Sequence, residues 1–223
     1  MMPSITTLDR PSLPLAPTAC IRLGVLASGR GTNLQALLDA ASARRIPAEI
    51  VAVASNRHGA LALDRARRAG VPASVFQRTE FPARAAQEQA VVDFLRQHGV
   101  ELVVLAGYVP VLGATLLDSF HHRVVNIHPS LLPAFGKTLH AQADALRHGV
   151  KITGCTVHFV TSQVDGGPII LQRAVPVLEG DTEESLSARI LEQEHQALPE
   201  AIGLIAAGRV VIDGDRTRIL PAE

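Results

Sequence analysis

The sequence predicts an α/β fold built on a wound, mostly parallel sheet of Rossmann-like order, with antiparallel strands added toward the C-terminus. Two observations carry that expectation. Short apolar runs alternate with amphipathic stretches of nine to fifteen residues, the pattern of parallel strands joined by crossover helices. In the last third the alternation stops, and two strand-like runs follow each other across a turn.

The elements follow in order. Ile21–Ala27 is an apolar run ending at Ser28-Gly29-Arg30-Gly31, and Asn33–Ala43 continues as a helix with Leu34, Leu37 and Leu38 on one face. Ile50–Ala54 is a second run, halted by Ser55-Asn56-Arg57. Leu61–Ala69 reads as a helix stopped by Gly70, and Ala73–Phe76 as a short strand. Arg84–His98 is a longer helix with Val91, Val92, Phe94 and Leu95 inward and Gly99 as its stop. Leu102–Ala106 and Val124–Ile127 have the composition of doubly buried strands. Cys155–Val160 and Ile169–Val177 flank Asp165-Gly166-Gly167-Pro168 and read as antiparallel additions. A helix over Glu183–Ala206 starts at Asp181 or Thr182, with Glu184 three residues after Asp181 as a capping box requires. Arg209–Leu220 closes the chain as a hairpin around Asp213-Gly214.

Composition narrows the classes of function. A chain of 223 residues with 47% apolar content can bury a full core in one or two domains. The favoured division is a flexible extension over 1–20, rich in proline, and a single domain over 21–223. Lys+Arg and Asp+Glu balance at 21 each, which argues against nucleic-acid binding and against docking on a membrane surface. No apolar run reaches bilayer-spanning length. The only cysteines, Cys20 and Cys155, are expected as free thiols in a reducing cytoplasm. Oligomeric state is left open between monomer and homodimer.

In wound sheets, ligands bind beyond the carboxyl ends of the strands, so the loops after Ala27, Ala106 and Ile127 are where function is sought. Ser28-Gly29-Arg30-Gly31-Thr32-Asn33 lacks the third glycine of a dinucleotide fingerprint, since Leu34 stands there. It lacks the Gly-Lys-Ser/Thr of a P-loop as well. The similar-looking Gly136-Lys137-Thr138 has Leu131 where that motif needs glycine. A cradle for a single phosphate on a helix N-terminus remains, and a plain tight turn with an N-cap has the same physics.

Asn126 and His128 stand two apart at the end of a strand-like run, so an amide and an imidazole face one side. An amide N–H can stabilise a developing oxyanion, and a histidine can donate or shuttle a proton. Asp165, in the turn before Gly166-Gly167-Pro168, would orient His128 and favour its charged form if the fold brought them together; aspartate is also common in turns for its own sake. Nine histidines are present, yet no pair shows the helical spacing with a nearby carboxylate that zinc enzymes use, and no metal is expected.

Asn126-Ile127-His128-Pro129-Ser130-Leu131-Leu132-Pro133, paired with Asp165-Gly166-Gly167-Pro168-Ile169-Ile170, resembles the signature of enzymes that use 10-formyltetrahydrofolate. The loop Ser28–Gln35 narrows the resemblance to the phosphoribosylglycinamide formyltransferase family of purine synthesis, over about Leu23 to Gly208. It implies the formyltransferase version of the Rossmann-like fold. The implied activity is transfer of the formyl group of 10-formyltetrahydrofolate, as co-substrate, to the amine of N1-(5-phosphoribosyl)glycinamide. The resemblance makes Asn126, His128 and Asp165 catalytic, and has Gly31, Thr32 and Asn33 hold the phosphate and Glu194 the ribose. Folate would meet Arg84, the wall Val109, Pro110, Val111 and Leu112, Asn126, and the loop Thr161, Ser162, Gln163, Val164 and Asp165. Two stretches depart from the family pattern. Pro110 stands where many relatives carry a longer polar residue, and Ala134–His140 is one residue longer than expected and differs in sequence.

Two related enzymes are less well matched. A formyltetrahydrofolate deformylase usually has an N-terminal regulatory domain, and a methionyl-tRNA formyltransferase needs an RNA-binding domain and suits a basic surface. A non-catalytic binder on the same fold is the rival of another class.

Overall fold

The computed structural model describes residues 19–222, so the first eighteen residues of the expected extension lie outside the described residues. The first half alternates strictly: β1 (Ile21–Leu26), α1 (Thr32–Ser42), β2 (Ala48–Ser55), α2 (Leu61–Arg68), β3 (Ala73–Val75), α3 (Arg84–Gln97) and β4 (Leu102–Leu105). The second half runs α4 (Ala114–Ser119), β5 (Val124–His128), α5 (Ala141–His148), β6 (Ile152–Phe159), β7 (Ile169–Pro176), α6 (Glu183–Ala206), β8 (Val210–Asp213) and β9 (Arg216–Ile219).

Seven strands form one sheet in the order β3-β2-β1-β4-β5-β6-β7, and β8 pairs with β9 in a separate ribbon. Strands β1 to β5 are parallel to one another, whereas β6 runs antiparallel to β5 and to β7. The order reverses at β1, between β2 and β4. Such a reversal opens a crevice at the carboxyl ends, because the crossovers on either side leave in opposite directions.

Side-chain alternation divides the sheet between two layers. Leu23, Val25, Val125, Ile127, Cys155 and Val157 face a core closed by Leu34 and Leu37 of α1 and by Leu186, Ile190, Leu198 and Ile202 of α6. Leu26, Val103, Leu105 and Val124 face Val91, Val92 and Leu95 of α3 and Leu116 of α4. Full burial of each such aliphatic chain is worth about 1.5–3 kcal/mol, so these faces dominate the favourable side of folding. No helix among the described residues is long and apolar enough to cross a membrane.

Three details differ from the sequence expectation. Strand β6 begins at Ile152 rather than Cys155, with Gly154 inside the strand. A Cβ there would lie 2.0 Å from the Arg173 carbonyl oxygen, so glycine permits the close pairing with β7. Helix α6 is capped by Thr182, whose partner in the capping box is Ser185 and not Glu184. Helices α4 and α5, with six and eight residues, were not expected. Helices that short are unstable alone and form because Leu116, Ala141 and Ala145 find packing partners.

Candidate active site

Strands β5 and β6 supply the first half of the site. Since Val125 and Ile127 point into the α1/α6 core, Asn126 and His128 point the other way, at the carboxyl end of β5. The antiparallel register sets His158 opposite Asn126 and Thr156 opposite His128. Asn126 Nδ2 lies 3.1 Å from His158 Nε2, and His158 Nδ1 lies 2.9 Å from the Phe159 carbonyl oxygen. That carbonyl can only accept, so the ring is the Nδ1–H tautomer and its Nε2 accepts from the amide. His158 is 1% exposed, and burial pushes its pKa below the usual histidine range.

Loops supply the second half. Asp165 adopts φ 52°, a left-handed conformation that aspartate tolerates better than most residues. Its Oδ1 lies 3.7 Å from His128 Nδ1 and 4.0 Å from His158 Nε2. The turn Phe135-Gly136-Lys137 grips both acidic and imidazole groups through its backbone. His128 Nε2 donates to the Phe135 carbonyl at 3.0 Å, and the Lys137 N–H donates to Asp165 Oδ2 at 2.7 Å. Phe135 and Lys137 have φ of 53° and 62°, so this grip needs two non-glycine residues in the left-handed region. Both nitrogens of His128 thus face oxygen atoms, with the Phe135 carbonyl in hydrogen-bond reach and the Asp165 carboxylate 3.7 Å away. Beneath the turn, Thr156 Oγ1 accepts from the Leu132 N–H at 3.0 Å and donates to the Ser130 carbonyl at 2.7 Å, tying the Pro129–Pro133 loop to β6.

These groups line a cavity of about 410 Å³ whose walls include Val109, Pro110, Val111, Leu112, Asn126, His128, Thr161, Val164 and Asp165. Most of its lining is apolar, and Asn126, His158, Asp165 and His128 lie within it as a chain of contacts of 3.1, 4.0 and 3.7 Å. Three residues expected to meet folate, Arg84, Ser162 and Gln163, do not line this cavity. Arg84 borders a neighbouring cavity, where its Nε donates to Glu88 Oε1 at 2.8 Å and its Nη2 to the Val111 carbonyl at 2.5 Å. Buried Glu88 also accepts from the Gly113 N–H at 2.7 Å. Arg84 and Glu88 together therefore brace the 109–113 wall from behind. Ser162 borders a third cavity beside His121 and His122, and Gln163 packs against Gly166.

The glycine loop sits at the reversal of strand order. Gly31 has φ 70°, and a Cβ there would lie 2.7 Å from the Ala62 backbone, so glycine is required twice over. It precedes α1 with no side-chain cap and no acidic residue in the first turn, which leaves the helix N-terminus open to an anion. Thr32 faces a cleft shared with Arg45, Arg65 and His195. Asn33 Nδ2 donates to Glu194 Oε2 at 2.8 Å, while Asn33 Oδ1 is buried without a partner. Burial raises the Glu194 pKa, and the hydrogen bond from Asn33 opposes that shift. Among the described residues, no group of three His, Cys, Asp or Glu is placed to hold a metal ion.

Residues 21–202 match the family model described as formyl transferase. The chain belongs to the formyl transferase family. It is 40% identical over 186 residues to the phosphoribosylglycinamide formyltransferase of Escherichia coli (strain K12), covering 83% of this chain and 87% of that protein. It is 47% identical over 189 residues to the trifunctional purine biosynthetic protein adenosine-3 of Drosophila pseudoobscura pseudoobscura. That match covers 84% of this chain and spans only 14% of the longer protein. Among solved structures, glycinamide ribonucleotide transformylase 1 from Symbiobacterium toebii superposes with a TM-score of 0.89 at 56% identity, over 91% of this chain and 95% of that one.

Two contributors within this formyl transferase domain escaped the sequence reading of roles. His158 appears in sequence as one histidine among nine, and only the register of β6 on β5 puts it against Asn126. Its signal was available in principle, since a polar residue between Val157 and Phe159 in a buried strand needs a partner. Ser28 links the two loops: its Oγ donates to Asn56 Oδ1 at 2.6 Å and accepts from the Val109 N–H at 2.9 Å. No local pattern announces that contact.

Proposed function

We propose that this chain transfers the formyl group of 10-formyltetrahydrofolate to the amine of N1-(5-phosphoribosyl)glycinamide, a step of purine synthesis. The observation that carries the reading is the meeting of Asn126, His128 and Asp165 in a cavity with mostly apolar walls. Residues 21–223 act as one domain in this reading, in the cytoplasm, on small molecules and not on nucleic acid or membrane, as a monomer or homodimer.

The two substrates meet there from opposite sides. Val109, Val111, Leu112, Thr161 and Val164 wall the folate ring, and the Arg84–Glu88 pair holds that wall in shape. Gly31, Thr32 and Asn33 receive the phosphate on the open N-terminus of α1, and Glu194 accepts from the ribose hydroxyls. The formyl donor supplies an electrophilic carbon attached to nitrogen. When the glycinamide amine adds to that carbon, negative charge gathers on the formyl oxygen, and N–H donors of Asn126 and His128 stabilise it. Asp165 holds His128 in place and accepts, directly or through water, the proton lost from the amine. That proton then passes to the departing folate nitrogen as the C–N bond breaks, so no covalent enzyme intermediate is needed.

One assay tests the reading against its rivals. The protein is mixed with 10-formyltetrahydrofolate, with and without the ribonucleotide. Formyl transfer that depends on the ribonucleotide supports it, formate release without the ribonucleotide supports a deformylase, and absence of both supports a binder.

A further inference from the structure

We propose that His158 is a positioning residue for formyl transfer: its Nε2 lone pair turns the Asn126 amide so that Nδ2 keeps its second N–H for the oxygen of the formyl group. The proposal rests on the functional reading above and adds a residue that acts through Asn126. A carboxamide has two ends of nearly equal shape, one a donor and the other an acceptor. Only the donor end stabilises an oxyanion, and the acceptor end in its place would repel one. Something must therefore choose between the two orientations.

His158 makes that choice through its own backbone. Its Nδ1–H is committed to the Phe159 carbonyl at 2.9 Å, so Nε2 carries a lone pair and can receive only the NH₂ end of Asn126, 3.1 Å away. The choice is reversed if the ring gains a second proton, because Nε2–H would then attract the Asn126 oxygen. Charged and titratable neighbours act in both directions: Asp165 Oδ1 at 4.0 Å favours the cation, and His128 on β5 disfavours it. Burial of the ring, 1% exposed, acts with His128 and outweighs the opposing Asp165 and Phe159 carbonyl, so its titration is pushed down. Strand register holds the pair in place, because Asn126 and His158 are direct partners in the interior of the sheet.

The test has two parts. Histidine-selective ¹⁵N NMR of the wild-type protein at neutral pH, with the His158 signals identified by their loss in His158→Gln, reads the tautomer. A protonated Nδ1 and bare Nε2 are expected, and the opposite tautomer overturns the proposal whatever the enzyme's activity. The second part is a kinetic cycle. His158→Phe keeps a ring but removes the acceptor, and it should lower kcat about ten- to a hundredfold, less than the 10²–10³ typical for losing an oxyanion donor outright. KM for both substrates should change less than about threefold, and His158→Gln, whose side-chain oxygen reaches the same point, should recover most of kcat. In an Asn126→Ala background, His158→Phe should cost less than about threefold, because its effect runs through the missing amide. Equal losses in both backgrounds overturn the proposal. If His158→Phe fails to fold, His158→Gln and the tautomer carry the test. Lack of formyl transfer by the wild type would instead strike the functional reading and leave the tautomer result standing.

Discussion

The strand-borne and loop-borne halves of the site are held by different means. Asn126, His128 and His158 project from two paired strands inside the sheet, so ladder register sets their spacing. Asp165 and the Phe135–Lys137 turn lie on loops and are joined by hydrogen bonds in which the turn contributes only backbone atoms. The consequence is a difference in what mutation can reach. In the strand half, the side chains themselves make the contacts. In the loop half, Asp165 is read as a side chain, but the turn that grips it is read as a backbone shape.

The largest effects should fall where the halves meet. His128→Ala and Asp165→Asn are each expected to lower kcat about 10²–10³-fold with unchanged circular dichroism. Near-normal turnover in either folded variant would remove the assignment of that residue.

A smaller effect is expected at Glu194, beside the glycine loop. Its folded-state pKa is raised above 4.5, so as pH rises the unfolded chain loses this proton first. Stability is therefore full below about 4.5 and declines as pH rises toward the folded value. Glu194→Gln removes that loss and keeps the acceptor for Asn33, so its Tm should exceed wild type at pH 7, with the gap closing near pH 4. The same variant should raise KM for the ribonucleotide about tenfold, since hydrogen bonds to charged groups are worth about 1.5–3 kcal/mol. A Tm at pH 7 equal to or below wild type would contradict the sign.

Behind the 109–113 wall, Glu88→Ala leaves the Gly113 N–H and Arg84 without their acceptor. A stability loss of about 1–3 kcal/mol is expected, with a higher KM for the folate and little change in KM for the ribonucleotide. Equal shifts in both would separate Glu88 from the wall. The smallest effect belongs to the turn. Lys137→Gly keeps the N–H that binds Asp165 and relieves a φ of 62°, so kcat should stay within about twofold and stability within about 1 kcal/mol. A large loss of kcat would show that the Lys137 side chain, and not its backbone, serves the site.

Legibility in the sequence divided along the same line. Strands β1, β2, β4 and β5 and helices α1, α3 and α6 were readable within a few residues, because buried strands and amphipathic helices carry their period in the chain itself. Asn126 and His128 were readable as a pair for the same reason, and the glycine loop because a left-handed, close-packed Gly31 leaves few substitutes. Arg84, a folate contact only by resemblance, has a guanidinium engaged with Glu88 and the Val111 carbonyl, contacts that no local pattern in the sequence announces.

By itself, then, the sequence determined the alternating architecture, the glycine turn that opens the first helix, and an amide and imidazole on one face, since all of these follow from local period and local backbone demand. Only the tertiary structure decided that Asp165 meets His128 across 37 positions, that Glu194 meets Asn33 across 161, and that His158 stands against Asn126. Such pairings depend on which strands become neighbours and in which register, and that is settled by burying two faces of one sheet at once.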